Sequence, residues 1–170
     1  MSETSAPAAA KPVVVPRWLV RTIWFAHRAA YRLTRGRFGL RPSTSTQWGM
    51  LQLSTLGRRS GKARVAIVGY IVDGANLVVP AMNGWADPEP AWWLNLQAHP
   101  DATVNLAGGS LTVRARAAAG AERERLWAGF RNYSGWGDDL DALAARRPTQ
   151  TAVVVLEPHT TLRSVNPGGA

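Results

Sequence analysis

Residues 50–81 read MLQLSTLGRRSGKARVAIVGYIVDGANLVVPA, and the alternation within this stretch decides the fold. From Met50 to Thr55 apolar and polar residues take turns, the period of a half-buried strand, and the run ends at Gly57. Arg64 to Val72 is dense in Val, Ile and Tyr, which suit a pleated surface. Asp73-Gly74 interrupts it before Asn76 to Ala81 resumes the pattern. Two such runs around Asp-Gly predict a hairpin, with a turn of two residues or slightly more.

Working outward, Glu89 to Ala98 carries apolar residues at helical spacing and stops before His99-Pro100, which predicts a short helix. Ala102 to Leu106 and Ser110 to Ala117 flank Gly108-Gly109 and predict a second hairpin. Ala121 to Arg131 reads as a helix with Glu122 and Glu124 early in it, where the helix dipole favours anions. Residues 132–150 read as irregular or partly helical, and Thr151 to Leu156 as a buried strand closed by Pro158. About six strands joined mainly by hairpins imply a mainly β fold with flanking helices: an antiparallel barrel with helices covering its ends.

The 170 residues and 46% hydrophobic content suffice for one domain with a real core, not for two. Cysteine is absent, which excludes disulfides, thiolate metal sites and cysteine nucleophiles. The net charge of +9 is unevenly placed. Residues 1–41 hold eight basic residues against Glu3, giving +7, and the remainder holds twelve against ten, giving +2. The excess therefore belongs to an N-terminal arm. Met1 to Pro12 is Ala/Pro-rich and lacks the order of a secretion signal, so residues 1–14 read as a disordered tail and the expected compartment is the cytoplasm. No segment reaches the roughly 20 continuous apolar residues of a membrane-spanning helix.

Residues 15–41 read as a basic amphipathic helix and linker. At roughly 100° per residue, Arg17, Arg21, Arg28, Arg32 and Arg35 fall within an arc of about 60°. Leu19, Ile23, Ala26, Ala30 and Leu33 lie largely opposite, and Trp24 and Tyr31 border the arginines. Such a helix suits peripheral contact with an anionic membrane interface through residues 16–35. The alternatives are packing on the protein's own core and a nucleic-acid arm, the latter weakened because no base-reading module follows. Residues 42–160 then form the cofactor-sized barrel domain, and 161–170 a flexible tail.

Three clusters carry candidate chemistry. The loop Gly57-Arg58-Arg59-Ser60-Gly61-Lys62-Ala63-Arg64 sets four cations and two glycines between strands. It can offer backbone N–H groups, a hydroxyl and guanidinium forks to a phosphate or carboxylate, or be a solvated basic hairpin. A Walker loop is a poor match, because Ala63 stands where the magnesium-binding hydroxyl belongs. Pro80-Ala81-Met82-Asn83-Gly84-Trp85, followed by Trp92, Trp93 and Asn95, can hold a flat ring system. Adjacent Trp92 and Trp93 cannot share one helix face, so at least one is core packing. Tyr133-Ser134-Gly135-Trp136-Gly137 can cap a pocket or pack as an ordinary loop. His27, His99 and His159 have no metal-ligand spacing, Asp138, Asp139 and Asp141 read as a solvated face, and no Gly-x-Ser-x-Gly elbow occurs. No metal site is expected.

These clusters, in this order, resemble the deazaflavin (coenzyme F420)-dependent nitroreductase and quinone reductase family. The most specific pieces are Thr55 to Arg64, then Pro90-Ala91-Trp92-Trp93-Leu94-Asn95-Leu96 with His99-Pro100, and finally Val153-Val154-Val155-Leu156-Glu157-Pro158. The resemblance implies a split β-barrel of the flavin-reductase/pyridoxamine-oxidase type. It implies that Arg58, Arg59, Ser60, Lys62 and Arg64 hold the cofactor's phosphate and carboxylates, and that Ala81, Met82, Asn83 and Gly84, with Trp92 and Asn95, lie along the deazaflavin. Tyr133 matches the first tyrosine of a loop over the substrate, where it would contact the acceptor or give it a proton. Trp136 falls at a second such position. Trp85 is a departure, a bulky residue where a glycine is usual, and it narrows the pocket. Ile67 stands in place of a usual proline, and Asp139 in place of a third loop tyrosine.

The activity so implied is hydride transfer from reduced F420 to a quinone, nitro compound or activated alkene, with a lipophilic quinone favoured by a membrane-facing arm. FMN is a less favoured cofactor. The competing expectations are a non-catalytic F420 or flavin carrier, and a membrane or nucleic-acid adaptor working through the arm.

Overall fold

A computed structural model describes residues 39–83, 88–133 and 140–159. The predicted arm and both tails, together with Gly84, Trp85 and Trp136, lie outside the described residues. Six strands run in the order β1 (Gly49–Leu56), β2 (Ala63–Asp73), β3 (Asn76–Pro80), β4 (Asp101–Leu106), β5 (Gly109–Ala117) and β6 (Val153–Pro158). Helix α1 (Ala91–Ala98) separates β3 from β4, while α2 (Gly120–Arg131) and the short α3 (Leu140–Ala144) precede β6. All pairings are antiparallel and the sheet closes on itself as β1-β2-β3-β6-β5-β4. Closure removes the exposed edges that would otherwise pair with other chains.

The strand period sorts the core into two layers. Leu77 and Val79 of β3, and Val154 and Leu156 of β6, enter the barrel interior with Leu51, Leu53, Val104 and Val113. The intervening Val78, Val153 and Val155 point outward into a second cluster with Ile71, Leu126, Trp127, Phe130 and Trp48. β6 is apolar at every position from Val153 to Leu156 because both of its faces are covered.

The helices do not simply cover the barrel's ends as expected. α1 sends Trp92, Trp93 and Leu96 into the interior cluster, whereas α2 lies on the outer face of β3 and β6. The outer layer is knit by aromatic contacts: Trp48 stacks on Phe130 at 4.9 Å between centroids, and Trp127 meets Phe130 edge-on at 6.2 Å. The Asp73-Gly74 turn is the two-residue form, since Asp73 pairs directly with Asn76 and Gly74 takes φ +60°. Arg41, assigned to the linker, bridges Met50 and donates from Nε to the Trp48 carbonyl at 3.0 Å, so chain order reaches back ahead of β1.

Candidate cofactor site

The basic loop is a tight turn closed on itself. Gly57 N–H donates to Lys62 O at 2.9 Å, and Ser60 and Gly61 N–H both donate to Gly57 O at 3.1 and 2.8 Å. Gly61 sits at φ +60°, where a side chain is disfavoured. A Cβ on Gly57 would lie 2.9 Å from Ser60 Oγ and 3.0 Å from Lys62 O. Both glycines are therefore required by this geometry.

The expectation that the loop offers its amides to an anion needs correction. The N–H groups of Gly57, Ser60 and Gly61 are spent on the turn, and that of Arg58 goes to Asn95 Oδ1 at 3.2 Å. What the loop does present is side chains. Arg58, Arg59, Lys62 and Arg64 are all exposed, and among the described residues none of them forms an ion pair. Ser60 Oγ accepts a long 3.4 Å contact from Arg64 Nη2, which leans that guanidinium towards the others. Four unneutralised cations on one eight-residue turn fit a polyanionic group.

Asn95 has a different position from the one the resemblance implied. Its amide is buried at 4% exposure, donates from Nδ2 to Thr55 Oγ1 at 3.1 Å, and accepts from Arg58 N–H at 3.2 Å and Arg58 Nη1 at 3.4 Å. It thus fastens α1 to the loop and aims Arg58. Trp92 and Trp93 are 8% and 6% exposed, and both join the interior cluster. The two indoles share one environment after all, because α1 packs against three strands, β1, β2 and β5, and not against a single flat face.

Ala81 is buried just beyond β3; Met82 is half-buried and Asn83 exposed. By antiparallel topology β3 runs towards the barrel end at which β1 stops and β2 starts, the end bearing the basic loop. Met82 and Tyr133 pack against the same outer cluster, so the structure brings these two predicted residues together. Tyr133 follows α2, its N–H donating to Phe130 O at 3.1 Å. It helps line a cleft of about 180 Å³ with Ile71, Val72, Asp73, Arg125 and Gly129. Downstream, Trp127 Nε1 donates to Asp141 Oδ1 at 2.7 Å, and Arg131 Nε lies 2.9 Å from Asp141 Oδ2. These contacts, the indole first, hold the Asp141 carboxyl below its ordinary value.

Two contributors escaped sequence reasoning. Thr55 is a buried hydroxyl that receives the Asn95 amide. Arg147 is a guanidinium with no side-chain exposure, bound to the Ala81 carbonyl at 2.9 Å and to Glu89 at 3.1 Å. No cluster of three or more His, Cys, Asp or Glu suited to a metal occurs among the described residues.

The closed six-stranded barrel, with α1 packed into its interior cluster and a cationic turn at one end, has the split-barrel fold expected from the sequence. The chain belongs to the F420H(2)-dependent quinone reductase family, which it matches over residues 24–158. It is 31% identical over 120 residues to a quinone reductase of that description from Mycobacterium tuberculosis, covering 66% of this chain and 78% of the relative. A solved F420-H2 dependent reductase superposes with a TM-score of 0.56 at 22% identity, over 64% of this chain and 93% of that one. A solved domain-swapped dimer gives 0.57 at 21% identity, over 81% and 99%. The protein is a coenzyme F420-dependent reductase.

Proposed function

We propose that the protein reduces a quinone, with the anionic tail of F420 held by Arg58, Arg59, Lys62 and Arg64 and the acceptor received near Met82 and Tyr133. The observation that carries this reading is the set of exposed loop cations without carboxylate partners among the described residues, one of which, Arg58, is held by the buried Asn95 amide. The two regions also lie apart along the barrel: Val78 pairs with Ile71, eight residues along β2 from Ala63, and β3 ends two residues nearer the loop at Pro80, roughly 20 Å of extended strand away. An elongated cofactor, charged at one end and aromatic at the other, suits that layout.

Reduced F420, when bound, supplies the hydride. The chain's own task is alignment, water exclusion and stabilisation of the negative charge that develops on the acceptor. The backbone from Ala81 to Asn83 borders the ring and the half-buried Tyr133 contacts the acceptor, its hydroxyl giving a hydrogen bond or proton to the reduced oxygen. Gly84, Trp85 and Trp136 complete the pocket in this proposal. Nitro compounds and activated alkenes are the alternative acceptors.

Residues 16–35 bring the pocket to an anionic membrane surface at the inner face of the cell membrane, where lipophilic quinones dissolve. Among the described residues no helix is long and apolar enough to cross a membrane. The experiment titrates the protein with F420, FMN and NADPH by fluorescence, then follows oxidation of reduced F420 by a water-soluble and a lipophilic quinone in anionic vesicles. Tight F420 binding with turnover of both quinones is expected. Deleting residues 1–38, which spares the Arg41–Met50 bridge, should lower only the vesicle reaction. F420 binding without any quinone turnover would make the protein a carrier.

A further inference from the structure

The Arg147 guanidinium is the most deeply buried charge among the described residues, with 0% of its side chain exposed. Its contacts tie the stretch from Arg147 to Thr151 to Ala81 and Glu89, 66 and 58 positions away. Nη1 donates to the carbonyl of Ala81 at 2.9 Å and to Thr151 Oγ1 at 3.1 Å, and Nη2 donates to Glu89 Oε1 at 3.1 Å. Ala81 lies one residue past the end of β3, Thr151 two residues before β6, and Glu89 two before α1.

The strand ladder explains why a donor is needed there. Ala81 N–H still pairs, with Ala152 O at 2.8 Å, but β3 has ended, and its buried carbonyl is met by the guanidinium. A buried ion pair is a poor source of stability, because removing two charges from water costs about as much as their attraction returns. An apolar pair of the same volume would remove the desolvation cost of the charges but leave the Ala81 carbonyl without its donor. What a guanidinium adds is direction, since its planar fork fixes an acceptor at Ala81 relative to one at Glu89.

We infer that Arg147 is a positioning residue for hydride transfer: it sets the gap between the end of β3 and the start of α1, and so the placement of Ala81, Met82 and Asn83 beside the cofactor ring. This rests on the proposed ring site at those residues. It does not rest on the basic loop, which is fastened separately through Asn95. Arg147 touches neither cofactor nor acceptor in this assignment. Its effect therefore falls on kcat and spares cofactor affinity.

The test uses the full chain with Arg147→Met, Glu89→Leu and the double variant. Arg147→Met should lower kcat by about tenfold, as expected for a misplacement well under 1 Å, while changing the Kd of F420 less than threefold. In the cofactor-free protein, amide hydrogen exchange should accelerate at Ala81 and Met82 and stay unchanged at Gly57, Arg58 and Gly61. The double variant should regain thermal stability, having no uncompensated buried charge, yet keep the low kcat. Recovery of both stability and kcat in the double variant would overturn the assignment and leave Arg147 as packing only. Should Arg147→Met not fold, Glu89→Gln decides: a kcat loss at unchanged Kd supports positioning, and unchanged kcat refutes it. Loss of F420 affinity in Arg58→Ala/Arg59→Ala is a separate outcome, so failure of the clamp and failure of the anchor are told apart.

Discussion

The turn from Gly57 to Arg64 and the helix from Gly120 to Arg131 are both rich in cations, and they are wired in opposite ways. On the helix, Arg125 meets Asp73 through two contacts of 2.7 and 2.9 Å, Arg131 pairs with Asp141, and Arg123 pairs with Glu124 while lying 5.5 Å over the Trp127 ring. Beside it, Arg116 bridges Glu122 and Glu157. These pairings leave their mark on the titrating groups: the Arg125 and Arg116 guanidiniums are pushed up, and the Glu122 and Asp73 carboxyls are pulled down, each first through its hydrogen-bonded partner. In the turn, no carboxylate among the described residues does the same for Arg58, Arg59, Lys62 or Arg64. Counting cations would rank the regions alike. Counting their partners separates a surface that is internally neutralised from one that waits for an anion.

The contrast breaks most visibly if the turn is discharged. Arg58→Ala/Arg59→Ala should weaken F420 binding by roughly 10- to 100-fold, the loss of charge-assisted hydrogen bonds that are partly exposed, with little change in melting temperature. Arg125→Ala, which removes one charge from the helix, should leave F420 affinity unaltered and lower the melting temperature only slightly, as loss of a solvent-exposed pair does. Fluorescence titration and thermal melts of both variants check the two statements together.

Asn95→Ala sharpens the comparison, because it alters the turn without touching a charge. The buried Thr55 hydroxyl and Arg58 N–H lose their partner, so stability should fall by about 1–3 kcal/mol. F420 affinity should fall severalfold although all four cations remain. Asn95→Asp, which keeps an acceptor for Arg58 but pairs its guanidinium with a carboxylate, should not recover the affinity.

The smallest effect is an acid one on the helix side. The folded Asp141 carboxyl lies below its ordinary value of 3.8, so the stability it contributes is present above that value and is lost as pH falls through the lower, folded one. Asp141→Asn should flatten this part of the stability–pH curve below about pH 4. Trp127, which donates to this carboxyl, reports the change by fluorescence. F420 affinity at neutral pH should not move.

Much of the barrel was legible because strands leave local marks: Met50–Thr55 alternates apolar and polar residues, and Leu77–Val79 and Val153–Leu156 are short apolar runs buried on both faces. Strand ends shifted by one or two residues at Gly49, Ala63, Asp101 and Pro158, where backbone pairing outlasts the apolar pattern. The turn's composition was equally plain. Its availability was not, since whether a cation has a partner depends on residues far away in the chain. Asn95 was singled out as lying along the cofactor, but its bonds to Thr55 and Arg58 cross 40 and 37 positions and leave no local mark. Arg147 carried no local signal at all. It sits in Ala-Ala-Arg-Arg-Pro, which reads as a solvated segment, and its buried contacts reach back 66 and 58 positions to Ala81 and Glu89.

The central claim, that the unpartnered turn is the cofactor's anion anchor while the partnered helix is a bystander, is tested most directly by mapping backbone amide NMR shifts during titration of the isotope-labelled protein with F420. Shifts concentrated at Arg58 to Arg64 and at Asn95, with Arg123 to Arg131 unmoved, are the predicted result. Shifts confined to the helix face, or a turn that stays silent at saturating F420, would contradict it.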